Sequence, residues 1–546
     1  MGKRQFTTRL GATLALLIPA LGVSAAHAER PGTPAHAGGS ITVALSYDST
    51  SLDPAQTSGV PDDSIASGAL FSGLYRINVH GKLSSDIADG MPTVSSDQKV
   101  FTIKLKHGVM FNGVGFTPRE VTAQDVVYTL ERTLNPHLKP TVSYYQGNDI
   151  GILGADAYVG GKAAHVQGIA ALDRYTVRIT MANALTSLPY VLSFLGNFIV
   201  PKEVADKYGA NFGLHPVGSG PFMLKQWVKG QKMVLTRNPL YFVKGLPYLD
   251  QITFEFNVGK DLEVLRWQQG QVDAIGDSWD LPPNEAQDLA TDPSVQKYLE
   301  PIQPSPQTNV IYINNSIAPF NNKLMRMAVA YAVNKKRLVR LFHQQIVPAA
   351  QIYPPAVTQY QPGFQGYSYD PQKAAALLKQ AGYTGQPVEV LIDTGSSNDP
   401  VEGPSVIQDL KAAGFNIKAR SVSDQQWNSL VGQPKGYTMI FGYWGMDYPD
   451  AYDFVVPTYT KDGLNGLNFS RYLNPLIDTM VNQAEALPFG TARDAVYGKI
   501  QRTLVDDVAA VPLFYRLRFY LNGPRVASLG WSPAYSYNEW AYARTR

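Results

Sequence analysis

Residues 438–450 read TMIFGYWGMDYPD, and the rest of the chain is organised around this stretch. The apolar run Thr438 to Phe441 is typical of a buried strand, and the Gly- and Pro-containing segment after it indicates a turn. This layout predicts that the indole of Trp444 and the carboxylate of Asp447 lie at the mouth of a sheet. Aromatic walls exclude water, so a carboxylate beside them suits a cationic ligand. An ordinary strand end, with a core Trp and a turn-capping Asp, is the alternative.

Outward from that strand, the C-terminal half alternates helices with strands. The predicted elements are helices beginning after Asn322, Asp370-Pro371 and Asn474-Pro475, a helix near Val406–Ala413, and strands at Val388–Ile392, Phe415–Val422 and Val511–Tyr515. This order predicts an α/β domain with a mostly parallel sheet.

The N-terminal half contains more alternating strands. The predicted strands are Ile41–Leu45, Asp97–Lys106, Thr176–Met181, Phe222–Val228, Asp250–Phe256 and Val272–Ile275, and the predicted helices are Ile65–Leu74, a helix starting at a Thr122/Asp125 capping box, and Leu262–Gln269. The aromatic tail with Trp531 and Trp540 is expected to return to this half.

The length of 546 residues is too great for one hydrophobic core. The predicted organisation is a signal peptide at 1–28, a first lobe at 29–76 and 186–300 with an inserted α/β subdomain at 77–185, a second lobe at 301–510, and a return to the first lobe at 511–546. A chain that leaves one lobe and returns crosses between the lobes at least twice. A cleft that closes about those crossings is the expected result.

The first residues predict an export signal. Its parts are a basic region with Lys3, Arg4 and Arg9, an apolar region from Leu10 to Val23, and the cleavage motif Ala26-His27-Ala28. Pro19 and Gly22 interrupt the apolar run, which argues against a membrane anchor. We therefore expect an exported, soluble protein.

Charge and cysteine content exclude several classes of protein. Removal of the leader leaves 44 basic against 44 acidic residues, so the basic surface of a nucleic-acid binder is absent. The chain has no cysteine, which excludes disulfides, thiolate metal sites, a cysteine nucleophile and a lipid-modified cysteine behind the leader. A periplasmic protein that is not lipid-anchored is expected.

Enzyme motifs are absent from the sequence. There is no nucleophile elbow, metalloprotease motif, Walker loop or dinucleotide fingerprint, and the glycine-rich stretch Pro216–Phe222 is predicted to be a turn. Asp447 and Asp450 could form a hydrolase pair, but Asp450 is predicted to cap the following segment. The histidines lack i,i+3 or i,i+4 partners. We predict no catalytic residues, no metal and no cofactor.

Several motifs occur together and in order. They are Ser51–Pro54 with Gly59–Pro61, Phe101–Phe111 with Val121–Val127, Gly218–Phe222, Ile313–Asn315 with Pro319–Asn321, Tyr369–Pro371 through Ala381–Tyr383, and Tyr443–Asp450. From Ile41 onward the chain resembles the family 5 extracellular solute-binding proteins of bacterial ABC importers, of the oligopeptide/dipeptide-binding type. The resemblance implies an α/β, two-lobe periplasmic-binding-protein clamp, type II-like, with an extra α/β subdomain in the first lobe.

The resemblance also implies a set of ligand-binding residues. Asp447 is expected to hold a peptide α-ammonium, Trp444 to line a side-chain pocket, and main-chain groups of Tyr443 and Gly445, and those around Gly59 and Val60, to pair with the peptide backbone. Backbone pairing resembles strand addition and ignores side-chain identity. Removing one partner of a buried charge pair costs ~3–5 kcal/mol, so Asp447 is expected to dominate the affinity.

The sequence departs from the family pattern at the other end of the ligand. The family's oligopeptide binder has an arginine six residues before the aspartate, where this chain has Phe441. At the position before Gly59, where relatives can have an acidic residue, this chain has Ser58. Arg516 is the candidate substitute for a carboxylate anchor. How a peptide C-terminus is held stays open.

The predicted function is therefore that of a binding protein, not an enzyme. It captures oligopeptides or dipeptides in a closing cleft and, as a monomer, delivers them to the permease subunits of an ABC importer in the inner membrane. The alternative is a non-peptide solute: a sugar oligomer, opine, metal chelate or haem. A hydrolase is the remote alternative.

Overall fold

The structure is a computed structural model, and it describes residues 38–56, 65–135, 137–138, 151–275, 291–299, 303–394, 401–518, 520–532 and 538–546. The predicted signal peptide lies outside these ranges, as do Ser58, Gly59 and Val60. Within the described ranges, the helices are too short or too polar to cross a membrane.

Strands occur along the whole described chain. In chain order they are β1 Ser40–Ala44, β2 Tyr75–Ile77, β3 Leu83–Ser85, β4 Thr93–Val94, β5 Val100–Lys104, β6 Met110–Phe111, β7 Arg119–Glu120, β8 Ile169–Asp173, β9 Thr176–Thr180, β10 Phe222–Val228, β11 Lys232–Arg237, β12 Gln251–Glu255, β13 Ala274–Ile275, β14 Gln303–Pro304, β15 Gln307–Ile313, β16 Ile346–Pro348, β17 Val388–Asp393, β18 Ile417–Val422, β19 Met439–Gly445, β20 Ala510–Arg518, β21 Leu521–Asn522, β22 Val526–Trp531 and β23 Asn538–Thr545.

Helices are concentrated in the C-terminal half. The α-helices are Ala123–Leu134, Ala155–Val159, Leu188–Val191, Lys202–Tyr208, Lys260–Gln268, Pro293–Gln296, Lys323–Ala332, Lys335–Leu341, Pro371–Gln380, Glu402–Ala412, Asp424–Val431, Ala451–Tyr459, Pro475–Glu485 and Thr491–Asp506. A π-helical turn spans Ala66–Leu70, and 3-10 turns span Leu195–Asn197, Gly209–Leu214 and Asp462–Asn465.

The first large sheet joins the two ends of the described chain. Its strand order is β10-β11-β12-β1-β13-β21, with β1 parallel to β12 and β13. Strand β21 enters it after the chain has built the second sheet. The ring centre of Trp540 lies 5.1 Å from that of Phe254 on β12, so this part of the aromatic tail packs on the first sheet.

A smaller sheet lies within the segment predicted to be an insert. Its order is β4-β5-β9-β8 among the described strands, and the helix Ala123–Leu134 packs on it. Arg132 of this helix holds Asp53 through two hydrogen bonds of 2.9 and 2.5 Å. The boundaries 77–185 themselves stay a prediction.

The second large sheet corrects the predicted strand direction. Its order is β14-β20-β15-β19-β17-β18, with β16 beside β20. Strand β17 is parallel to β18 and β19, but β15 is antiparallel to both β19 and β20. The prediction of a mostly parallel sheet was wrong. The chain enters this sheet through β15 and leaves it through β20, and because these two strands are neighbours they run in opposite directions.

Helix starts were predicted well where a side chain caps them. The side chains of three cap residues accept N–H groups at 2.8–3.1 Å: Asn322 from Leu324, Asp370 from Lys373, and Asn474 from Leu476. At the predicted capping box, the Thr122 N–H and hydroxyl both donate to the Asp125 carboxylate at 2.9 Å. These contacts are local, so sequence spacing suffices to find them.

One predicted helix was wrong over half its length. The helical turn after Ile65 ends at Leu70, and the chain is extended again from Tyr75. A Cβ on Gly68 would overlap the carbonyl oxygen of Asn538, and one on Gly218 would overlap that of Leu70. Tertiary backbone contacts therefore override the local helical pattern. The predicted turn before Phe222 is confirmed, since β10 begins there.

Candidate functional site

Strand β19 runs further into the site than the sequence indicated. It spans Met439–Gly445, and its register on β15 pairs Trp444 with Thr308 and Gly445 with Gln307. The Met446 N–H still donates to the Pro306 carbonyl at 2.8 Å. The pairing with β15 extends the strand beyond Phe441, and Asp447 comes directly after the last of these backbone bonds.

The alternation of side chains separates the predicted site residues. Trp444 lies on the same face as Ile440, and both belong to the apolar cluster that also contains Met446 and Tyr448. Tyr443 is on the opposite face and is 48% exposed, whereas Trp444 is 9% exposed. The indole is therefore enclosed, and the Tyr443 ring faces outward.

Asp447 sits in a turn that a second aspartate holds. Its side chain is half-buried, and its N–H donates to a carboxylate oxygen of Asp453 at 2.9 Å. Asp450 begins the helix Ala451–Tyr459, where its carboxylate accepts the Tyr452 N–H at 3.0 Å. The predicted capping role of Asp450 is confirmed.

The electrostatic character of the turn is negative. Tyr448 is fully buried in it, and burial raises the pKa of its hydroxyl well above the usual value. The nearby carboxylates of Asp453, Asp447 and Asp450 raise that pKa further. The carboxylates attract a cation, whereas the burial that makes the larger contribution to this pKa disfavours charge of either sign.

Arg516 lies on β20 towards the same end of the sheet as Gly445, but not on the Trp444 face. Its carbonyl accepts the Ser305 N–H at 2.6 Å. Its guanidinium carbon is 5.5 Å from the ring centre of Phe342 and 5.9 Å from that of Phe514. Phe514 is in register with Asn309 and, through it, with Tyr443. Arg516 therefore shares the face of Tyr443, opposite to Trp444.

Phe441 belongs to the hydrophobic core. It is 3% exposed and packs in the cluster that contains Met439, Ile313 and Val511. A Cβ on Gly403 would meet its ring at 3.7 Å. The position at which the family resemblance suggests an arginine is thus an apolar one in this chain.

Sequence reasoning missed a buried ion cluster beside the turn. The Arg493 guanidinium bonds both carboxylate oxygens of Asp450 at 2.8 and 2.7 Å and one of Glu485 at 2.8 Å. Burial alone lowers the pKa of Arg493, but the two carboxylates raise it above the usual value. The partner residues are 43 and 8 positions away, so the sequence carries no local signal for the cluster.

The described residues offer no group of three or more His, Asp or Glu side chains placed to hold a metal ion. The predicted contacts at Ser58, Gly59 and Val60 lie outside the described ranges.

The chain matches the profile of the family "Bacterial extracellular solute-binding proteins, family 5 Middle" over residues 82–466. This match spans well over half of the chain.

Two curated proteins are similar over nearly their whole length. The periplasmic oligopeptide-binding protein OppA of Escherichia coli is 26% identical over 491 residues, covering 87% of each chain. The glutathione-binding protein GsiB of Salmonella typhimurium is 28% identical over 494 residues, covering 88% of this chain and 90% of GsiB.

A solved structure has the same fold. It is the periplasmic binding protein DppA of Helicobacter pylori in complex with the peptide STSA, with a TM-score of 0.78 and 22% identity. The match covers 93% of this chain and 98% of DppA. The predicted two-lobe α/β clamp is confirmed.

Proposed function

Because the chain belongs to the family 5 bacterial extracellular solute-binding proteins, we propose that it captures peptides for an ABC importer. The similarity to OppA and GsiB, an oligopeptide-binding and a glutathione-binding protein, supports a peptide-like cargo. The single observation that carries the proposal is the acidic turn at the end of β19, where the half-buried Asp447 follows the enclosed ring of Trp444.

The chemistry of this turn suits the amino end of a peptide. The α-ammonium group would rest on the Asp447 carboxylate, where partial burial reduces screening by water. The backbone of Tyr443 and Gly445, at the end of β19, would pair with the backbone of the cargo. This arrangement recognises what all peptides share, so side-chain sequence has a small effect on affinity.

The carboxyl end of the cargo would be held differently from the amino end. Phe441 is buried in the apolar core and offers no charge. Arg516, on the Tyr443 face, stays the proposed candidate for a carboxylate partner. A weak contact with the carboxyl end of the cargo would allow peptides of different lengths to bind.

Delivery to the permease subunits of an inner-membrane importer follows from the family. The basic and apolar regions before Ala28 support export through a cleavable leader, and the related OppA is a periplasmic protein. We propose that the protein acts as a monomer, and that it binds its cargo without chemical turnover.

The test is Asp447→Asn with two probes, tri-alanine and N-acetyl-tri-alanine, measured by titration calorimetry. We expect the affinity for the free-amine peptide to fall by roughly two to three orders of magnitude, since a buried ammonium then lacks its counter-charge. The affinity for the acetylated peptide changes little. Asp462→Asn, at an exposed position of the same half of the chain, is the matched control.

Equal losses for both peptides would exclude the amine-anchor role of Asp447. Absence of peptide binding in the wild type, together with a non-peptide mass retained in native mass spectrometry, would favour the alternative cargo. The observation that favours this alternative is the core position of Phe441, which offers no charge to a peptide carboxylate.

A further inference from the structure

The buried ion cluster of Arg493, Asp450 and Glu485 has no part in the proposed cargo contacts, yet it adjoins them. Arg493 is fully enclosed, and its two carboxylate partners are 1% and 2% exposed. A cluster with two carboxylates and one guanidinium carries excess negative charge. Neutral donors must therefore stabilise the second carboxylate.

One of those donors comes from a distant part of the chain. The Ser187 N–H donates to Glu485 at 2.8 Å, and the Arg493 guanidinium donates to the Ser187 hydroxyl at 2.6 Å. The Thr186 hydroxyl adds a bond of 2.6 Å to the carbonyl of Leu487. The Tyr497 hydroxyl donates to Glu485 from the helix that carries Arg493. Residues of the predicted first and second lobes thus complete one charge cluster together.

The cluster reaches Asp447 through consecutive contacts. Arg493 holds Asp450, which caps the start of the helix Ala451–Tyr459. The first turn of that helix carries Asp453, whose carboxylate accepts the Asp447 N–H. Arg493 makes the two shortest side-chain bonds to Asp450, and Gln359 adds a longer one of 3.3 Å, so the position of Asp450 ahead of the Asp447 turn is set mainly by Arg493.

We infer that Arg493 is a positioning residue that couples the orientation of the Asp447 turn to the docking of the Ser187 segment. Docking of this segment supplies the Ser187 N–H to Glu485 and the Ser187 hydroxyl to Arg493. The completed cluster fixes Asp450, the helix start and the Asp447 turn. The cargo-binding turn is then ordered when the two parts of the chain are in contact. The role in cargo recognition rests on the proposed function, whereas the coupling itself does not.

The test compares Arg493→Met with Arg76→Met by hydrogen exchange of the ligand-free protein. Arg76 is a matched control because its guanidinium also lies between two buried carboxylates, Asp86 and Glu539, but outside the cluster. In Arg493→Met the Asp447 and Tyr452 amides are expected to exchange about tenfold faster, a local opening easier by ~1.4 kcal/mol. In Arg76→Met these amides keep their wild-type rates.

Ser187→Ala tests the same coupling with a milder change. If Arg493→Met does not fold, the result for Ser187→Ala decides whether the Ser187 segment and the Asp447 turn are coupled. It removes the hydroxyl that accepts from Arg493 and donates to Asp450 at 3.4 Å, but it keeps the N–H bond to Glu485. We expect faster exchange at Asp447, although the substitution is in the other half of the chain. Wild-type exchange at Asp447 in Ser187→Ala, or equal acceleration in Arg493→Met and Arg76→Met, would overturn the inference.

A second readout separates positioning from general loosening. The ratio of affinities for tri-alanine and N-acetyl-tri-alanine is expected to fall in Arg493→Met and to be partly restored in Arg493→Lys. An unchanged ratio would show that Arg493 does not position Asp447. If the wild type shows no preference for a free amine, the proposed function fails, while the exchange experiment still decides the coupling.

Discussion

At the scale of single residues, the aspartates around the site differ in what they do despite their proximity. Asp450 caps a helix and holds Arg493, and Asp453 accepts the Asp447 N–H. Asp447 is the half-buried member of the three. Burial with assigned partners favours a structural role for the first two, and access favours a ligand-binding role for Asp447.

Lys335 gives a prediction of pH dependence at this scale. Its ammonium donates to the Ala349 carbonyl at 2.7 Å, and burial lowers its pKa from 10.5 to about 8. Between these values the unfolded chain binds a proton that the folded chain does not, so folding stability rises with pH across that window. Relative to Lys335→Met, the wild type should gain at most on the order of 3 kcal/mol between pH 8 and 10.5.

Urea unfolding at several pH values measures this difference. Lys336→Met is the control, because Lys336 is the exposed neighbour on the same helix. A stability difference between wild type and Lys335→Met that stays constant from pH 8 to 10.5 would contradict the prediction.

At the scale of elements, the turn before β10 and the π-helical turn Ala66–Leu70 contact each other through closely approaching backbone atoms. The turn before β10 packs against the end of the π-helical turn Ala66–Leu70, with the Gly220 N–H donating to the Leu70 carbonyl at 3.0 Å. A Cβ at Gly218 would overlap the Leu70 carbonyl oxygen and lie 2.8 Å from the Phe71 ring. Glycine is required here for space.

Gly218→Ala is therefore expected to reduce the free energy of unfolding by about 1–3 kcal/mol, the usual cost of overpacking a core. Gly259→Ala, whose new Cβ meets no atom beyond its chain neighbours within 4 Å, should cost about 0.5–1 kcal/mol, because Gly259 caps the helix Lys260–Gln268 and alanine is a poorer cap. Both are measured by urea denaturation. Equal stabilities of the two variants would show that the turn can move away from Leu70 without cost.

At the scale of the whole molecule, two large sheets share one chain that passes between them twice. It leaves the first sheet after β13 and enters the second at β14, and it returns from β20 to β21. Two crossings of this kind allow two lobes to hinge. The return connection, which follows Arg518 and ends at Leu521, is short.

Small-angle scattering should detect closure of these lobes on a cargo. With tri-alanine at saturation, the radius of gyration is expected to fall toward the value of about 24 Å for a compact chain of this length. Asp447→Asn at the same peptide concentration should keep the ligand-free value. A wild-type radius that peptide does not change would argue against closure.

The sequence by itself determined the features that depend on neighbours along the chain. Cap residues such as Asn322, Asp370 and Asp450 were found because a cap and its N–H partner are two or three positions apart. The ordered family motifs, from Ser51 to Asp450, were sufficient for the fold class, which the solved structure of DppA confirms.

Only the tertiary structure decided the features that join distant positions. The antiparallel run of β15 between β19 and β20, the extension of β19 over Trp444, and the contact of Arg493 with Ser187 each depend on segments far apart in the sequence. A periodic pattern states which residues are buried, but not which strand or charge they meet. The physical reason is that pairing partners across a sheet or a core are selected by the whole packed chain, not by local spacing.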